Sequence, residues 1–88
     1  MEKYNIFFKQ SVEKDLRSIP KKNLLRILER IEGLKENPRP AGSEKLTGQN
    51  RYRIRQGVYR VVYSIQDYEL TVWVVKIAHR KEIYKKIS

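Results

Sequence analysis

Apolar residues change their spacing near Gln49, and the change divides the chain into a helical half and a strand half. Upstream, "YNIFFK" (Tyr4–Lys9) is a short aromatic and β-branched run that predicts a first strand. Val12, Leu16 and Ile19 then recur on one helical face. Ser11 is placed to cap that helix, and the acids Glu13 and Asp15 fall in its first turn, where they favour it. Pro20 ends this helix and opens a second from its first position. Leu24, Ile27, Leu28, Ile31 and Leu34 form the apolar stripe of the second helix. "NPRPAG" (Asn37–Gly42) stops it, because residues preceding proline are pushed out of the α region. Two short stripes joined by a tight turn predict a helical hairpin covering a sheet rather than a dimer seam.

Downstream the period is two. In "NRYRIRQ", Arg51, Arg53 and Arg55 alternate with Tyr52 and Ile54. Gln56-Gly57-Val58 supplies a turn, "YRVVYSIQ" returns, and Asp67-Tyr68 makes a second turn. "LTVWVVKIA" is the most continuously apolar strand and is predicted to lie centrally. "HRKEIYKKIS" closes the sequence as a short helix or an extended tail. The predicted order is β-α-α-β-β-β in one domain over residues 1–88. The fold class is α+β: an N-terminal strand, a helical hairpin and a three-stranded antiparallel meander. Together they give a four-stranded, mainly antiparallel sheet with both helices on one face.

Residues two apart in a strand share a face, so Tyr52 and Ile54 turn toward the helices and Arg51, Arg53 and Arg55 turn away. On the return strand Tyr59, Val61, Tyr63 and Ile65 form one set, and Arg60, Val62 and Ser64 the other; the turn leaves open which set faces inward. Arg60 lies just beyond the turn, close to Arg55. The open face therefore gathers guanidiniums with little acid among them, and their mutual repulsion would be relieved by a bound phosphate. The alternation assigns Tyr59 and Tyr63 to the core rather than to chemistry.

Charge reinforces this reading. Twenty Lys and Arg against ten Asp and Glu leave +10 over 88 residues. Residues 51–88 carry nine basic and three acidic side chains, against eleven and seven in 1–50. Such a domain is expected to bind polyanions, since each neutralised phosphate releases condensed counterions. Cysteine is absent, so disulfides and thiolate metal sites are excluded. Apolar runs are too short to span a bilayer, and the N-terminus does not have the form of a secretory signal. A cytoplasmic protein without membrane association is expected.

The chain has no GxxxxGK[ST], GxGxxG or HExxH motif, and no Ser-His-acid set is apparent. No metal or cofactor is expected, because the single histidine and the few carboxylates of the basic half do not make a metal site. Arginine, tyrosine and His79 remain. They suffice for metal-free phosphoryl transfer on RNA, whose own 2′-OH supplies the nucleophile while guanidiniums stabilise the transition state.

The stretch "EKLTGQNRYRIRQGVYRVVYSI" and the tail "HRKEIY" resemble the RelE branch of the RelE/ParE toxin superfamily over essentially the whole chain. The first is similar to that family's K-L-x-G…Y-(K/R)-I-(K/R)…G-x-Y-R-(V/I)-(V/I)-Y core. The resemblance implies a small α+β toxin acting as a ribosome-dependent ribonuclease that cuts mRNA in the A site of the ribosome's small subunit. It also implies a cognate antitoxin that wraps around the fold. By the same resemblance Arg53 and Arg55 match the paired basic residues of the first motif strand, where the family often has lysine. An arginine there is a poor proton acceptor. Arg60 would hold the scissile phosphate, Arg80 would stabilise or protonate the leaving oxygen, and Tyr84 would stack on or orient the base. His79 is the side chain whose ordinary titration range suits a general base. Arg51, Lys45, Lys81, Lys85 and Lys86 are expected to bind RNA. Two alternatives stay open: a ParE-like toxin that inhibits DNA gyrase by protein contact, and a non-catalytic nucleic-acid-binding module.

Overall fold

The change of apolar period becomes a change of secondary structure in the computed structural model, which describes residues 3–46, 48 and 50–82. The elements are Asn5–Phe8 (β1), Val12–Arg17 (α1), Lys21–Glu32 (α2), Glu44–Lys45 (β2), Arg51–Gln56 (β3), Tyr59–Gln66 (β4) and Thr71–His79 (β5). All five strands join one sheet in the order β1-β5-β4-β3-β2. β1 runs parallel to β5, and the other neighbours are antiparallel.

The predicted α+β class holds, with one strand more than the four expected. The extra strand is β2, in a stretch whose two charged residues carry no alternation of their own. It exists because the edge of β3 has pairing groups to offer, with Glu44 opposite Arg53 and Lys45 opposite Tyr52. The Leu46 amide continues that pairing to the Arg51 carbonyl at 2.8 Å. The predicted central strand, β5, is interior but second in the order, and β4 holds the centre.

Both helices lie on one face. Val12, Ile27, Ile31 and Leu34 meet Ile54, Val61, Tyr63 and Val74, all at most 2% exposed. Each such side chain contributes about 1.5–3 kcal/mol relative to exposure. The buried stripe on α2 is narrower than the sequence suggests, since Leu28 stands at the surface at 36% exposure. Ser11 does not cap α1 with its side chain: it is itself in the right-handed helical region. The first orphan amides instead find carbonyls in the preceding turn, Val12 to Lys9 at 2.9 Å and Glu13 to Gln10 at 3.2 Å. Pro20 sits one residue before α2 with ψ 139°, so it caps the helix rather than occupying its first position.

Two irregularities decide which side chains reach the open face. β3 and β4 are joined by the two-residue loop Gly57-Val58, with Gly57 at φ 61°. A left-handed first loop residue matches the twist of a tight hairpin, and glycine takes that conformation without strain. The second irregularity is a bulge at Val75, where Val62 pairs with Lys76 but Tyr63 pairs with Val74. One extra residue inverts the face of everything that follows. Val72 and Val74 face the core before the bulge, and Ile77 does so after it.

β1 ends at Phe8, so the outer edge of β5 beyond Val74 needs another cover. Asp15 of α1 provides it. One carboxylate oxygen accepts from Lys76 Nζ at 2.8 Å and the other from the Ile77 amide at 3.3 Å. Helix α1 thereby fixes the end of β5 that leads to His79 and Arg80.

Candidate functional site

The hairpin end of the open face collects the arginines. Arg55 and Arg60 are directly opposite each other, and Arg53 lies two residues back along β3, opposite Val62. Like charges at opposed positions repel, so the sheet carries a cost here that an anion would offset. The floor beneath them is apolar, formed by Val62 and Ala78 with Leu46 and Val75 against them.

Arg60 is only 7% exposed. Its Nη1 donates to the Gly57 carbonyl at 3.2 Å and to the Tyr59 carbonyl at 3.1 Å, which fixes the guanidinium against its own turn. Arg80 reaches the same turn from the other side: its backbone amide donates to the Val58 carbonyl at 2.7 Å, and its side chain is exposed. Arg51 is exposed and pairs with Ser64, toward the far end of the same face.

Other predicted residues lie elsewhere. His79 pairs with Tyr59 and meets its ring edge-on at 5.8 Å. Tyr59 packs against the main core, so the Val75 bulge has put His79 on the helix-facing side, opposite Arg55 and Arg60. Its Nδ1 accepts the Lys81 amide at 3.2 Å, and the ring borders a cleft with Ser18 and Ile19. Lys45 is paired with Tyr52, a residue of the helix-facing set, and is exposed. Lys81 is exposed in the helical turn formed by residues 80–82. Tyr84, Lys85 and Lys86 lie outside the described residues.

The face is not as free of acid as its sequence implied. Glu44, across from Arg53 on β2, meets the Arg53 Nη2 at 2.6 Å. The Arg53 guanidinium holds its carboxyl below the ordinary glutamate range; burial opposes this, and Arg55 and Arg60 add lesser lowering effects. Glu44 carries no motif, and only the pairing of β2 with β3 reveals it. The segment leading into β2 is itself held. Arg39 bonds both Asp67 oxygens at 3.2 and 2.9 Å, donates to Tyr52 Oη at 3.1 Å and lies 5.2 Å from that ring's centre. Tyr63, buried, donates to the Pro38 carbonyl at 2.7 Å. At the opposite end of the open face Phe7 and Trp73 stack at 5.1 Å and remain 46% and 40% exposed.

Among the described residues no group of three or more His, Asp or Glu side chains is placed to hold a metal ion. The chemistry on offer is that of fixed cations: binding an oxyanion and stabilising charge that develops on it.

Comparison with known proteins agrees with this architecture. Residues 6–84 match the family described as ParE toxin of type II toxin-antitoxin system. The putative toxin RelE1 of Methanocaldococcus jannaschii is 36% identical over 87 residues, covering 94% of this chain and 97% of the relative. Toxin RelG of Mycobacterium tuberculosis is 30% identical over 87 residues, with 94% and 98% covered. Among solved structures, the archaeal RelE-RelB complex from Pyrococcus horikoshii contains a chain 32% identical to this one with a TM-score of 0.80, covering 89% of this chain and 96% of that one. The chain therefore belongs to the RelE/ParE family of type II toxin–antitoxin toxins, and within it is of the RelE type.

Proposed function

We propose that this toxin is a ribosome-dependent endoribonuclease that cleaves mRNA in the ribosomal A site and is held inactive by a cognate antitoxin. The observation that carries the reading is the convergence of Arg53, Arg55 and Arg60 on one end of an open sheet face, with Arg80 beside the same turn. In the proposed reaction the 2′-oxygen attacks the adjacent phosphorus. The bond from phosphorus to the 2′-oxygen forms as the bond to the 5′-oxygen breaks. The 2′-hydroxyl releases its proton, and the departing 5′-oxygen takes one up. The products are a 2′,3′-cyclic phosphate and a 5′-hydroxyl.

Negative charge grows on the non-bridging and leaving oxygens, and fixed guanidiniums stabilise it without reorganising. Arg60, already fixed by its turn carbonyls, is assigned to the phosphate, and Arg80 to the leaving oxygen. His79 stays outside this contact set, since its contact with Tyr59 and its bond from the Lys81 amide keep the ring on the other face. No step calls for a metal ion. Among the described residues no helix is long and apolar enough to cross a membrane, and action at the ribosome places the toxin in the cytoplasm.

The antitoxin is expected to present an acidic, amphipathic segment. The charge of +10 supplies the attraction, and Leu25 and Leu28 on α2 add exposed apolar contact area. In the Pyrococcus horikoshii structure the related toxin is found with RelB.

The test is inducible expression followed by mapping of cellular mRNA ends, paired with cleavage of ribosome-bound message by the purified toxin. New ends within coding regions, bearing 5′-hydroxyls, are expected. On a model RNA free of ribosomes, any cleavage should persist in EDTA. Products with 5′-phosphates would overturn the mechanism. Growth arrest without mRNA cleavage, accompanied by DNA gyrase inhibition, would overturn the ribonuclease reading in favour of a ParE-like action.

A further inference from the structure

The cationic cluster holds a carboxylate of its own. Glu44 and Arg53 face each other across the β2–β3 edge, with Oε2 and Nη2 2.6 Å apart. Arg55 lies two residues along β3 from Arg53, and Arg60 is its direct neighbour on β4. A carboxylate oxygen and a phosphate oxygen are equivalent acceptors for a guanidinium N–H, and the same Nη2 hydrogen cannot be given to both. An incoming phosphate would also meet the Glu44 charge at close range.

We propose that Glu44 is a built-in competitor for the RNA phosphate, a side chain that occupies Arg53 until the substrate backbone displaces it. This rests on the RNA-cleaving reading above. The exposure of the pair sets how strong the competition is. Arg53's side chain is 19% exposed, but that of Glu44 is 59% exposed, on a two-residue strand at the edge of the sheet. An ion pair so open to water is weak enough for a phosphate to break. Such a counter-ion penalises an isolated anion, which gains one contact and loses one. It penalises a polynucleotide less, because neighbouring phosphates engage Arg55 and Arg60 at the same time. Glu44 thus acts as a specificity residue favouring extended backbones over free phosphate.

The experiment is a titration of a ten-nucleotide, fully 2′-O-methylated RNA, which binds but cannot be cut, followed by fluorescence anisotropy at several NaCl concentrations. Wild type is compared with Glu44→Gln, with Glu44→Ala and with Glu13→Gln. The last makes the same charge change as Glu44→Gln, on exposed α1, away from the cluster. Glu44→Gln should bind about two- to five-fold tighter, the scale of an exposed ion pair. Its plot of log affinity against log salt should steepen by up to about 0.7, the contribution of one phosphate contact on a single strand, because that contact no longer replaces an ion pair already made within the protein. Glu44→Ala should move in the same direction. Glu13→Gln should change little, because Glu13 is exposed on α1, on the helix side of the sheet, and its charge is open to solvent. Inorganic phosphate, titrated in parallel, should gain more from Glu44→Gln than the RNA does, and an equal gain would overturn the preference for extended backbones.

If wild type binds the RNA and Glu44→Gln binds no tighter than Glu13→Gln, the competitor role is wrong while the ribonuclease reading stands. Weaker binding by both Glu44 variants would likewise overturn it, making Glu44 a support for Arg53 instead. If neither wild type nor the variants bind the RNA, the competitor role falls, whereas the ribonuclease reading stands or falls with the cleavage of ribosome-bound message. Unfolding midpoints close to wild type for all three variants would exclude a folding origin for any change.

Discussion

Arg80→Ala and Arg60→Ala should both slow cleavage steeply, but only one of them should weaken the fold. Arg80 has an exposed side chain and is anchored through its backbone amide, which alanine retains. Its substitution should leave the unfolding midpoint close to wild type. Arg60 is 7% exposed and donates to two turn carbonyls, at 3.2 and 3.1 Å. Removing those donors at a turn that water can partly reach should cost about 1–2 kcal/mol. For a domain of this size that lowers the midpoint by about 5–15 °C. In the proposed reaction both groups act on charge that is greatest in the transition state, so each substitution should slow the single-turnover rate at saturating RNA by about two to three orders of magnitude. That factor corresponds to about 2.7–4 kcal/mol of lost transition-state stabilisation. RNA affinity should fall far less. Arg60→Lys keeps the charge but not the planar fork, and should recover only part of the rate. The assay is quenched-flow cleavage of ribosome-bound message beside binding titrations and thermal unfolding, all below the midpoint of the weakest variant. Near wild-type rates in Arg80→Ala would refute the assignment. So would a loss confined to affinity, with the rate at saturation unchanged, since the arginines would then only bind.

Tyr63→Phe removes the buried bond to the Pro38 carbonyl and should destabilise the fold by about 1–3 kcal/mol in urea unfolding, leaving RNA binding unchanged. In the wild type, burial pushes the Tyr63 hydroxyl up to about 12 and the bond to Asp67 raises that of Tyr4, so a spectroscopic alkaline titration should show Tyr63 and Tyr4 ionising after ordinary tyrosines, and Tyr63→Phe should remove one late step. Asp15→Ala removes the side-chain acceptor of the Ile77 amide and the ion pair to Lys76, and should cost about 1–3 kcal/mol; Asp15→Asn, which keeps an acceptor oxygen, should cost less in the same measurement. The Arg39 guanidinium first, and the Tyr4 hydroxyl second, hold the Asp67 carboxyl below the ordinary aspartate range. A depressed carboxyl stabilises the fold above its unfolded value, about pH 4, and that contribution is lost as pH falls through the folded value. Asp67→Asn should therefore flatten the dependence of the unfolding midpoint on pH below about 4.

What the sequence made legible, and what it did not, follows from how far each determinant lies along the chain. The helical stripe of Ile27, Ile31 and Leu34 and the alternation of Tyr52 and Ile54 with arginines are local patterns, and the core they predict is the one observed. The closeness of Arg55 and Arg60 was legible too, but not their direct opposition: a turn read as Gln56-Gly57-Val58 leaves the register open, and only the two-residue loop of the structure fixes it. Glu44 was not readable, because β2 has no period and takes its place only by pairing with β3. His79 escapes a sequence reading for a related reason. Strict alternation from Val72 and Val74 would put Lys76 and Ala78 toward the helices, and His79 among the arginines. In "VWVVKIA", however, apolar residues occupy both parities, so the run hides the residue at which the face changes. The bulge at Val75 puts Ile77 into the core and gives the Asp15 carboxylate an edge to close. The same shift carries His79 to the helix side and Ala78 to the floor under Arg60. One added residue thus changes the kind of chemistry the site can offer. It trades an imidazole for an apolar floor under the guanidiniums and leaves a site whose available force is positive charge.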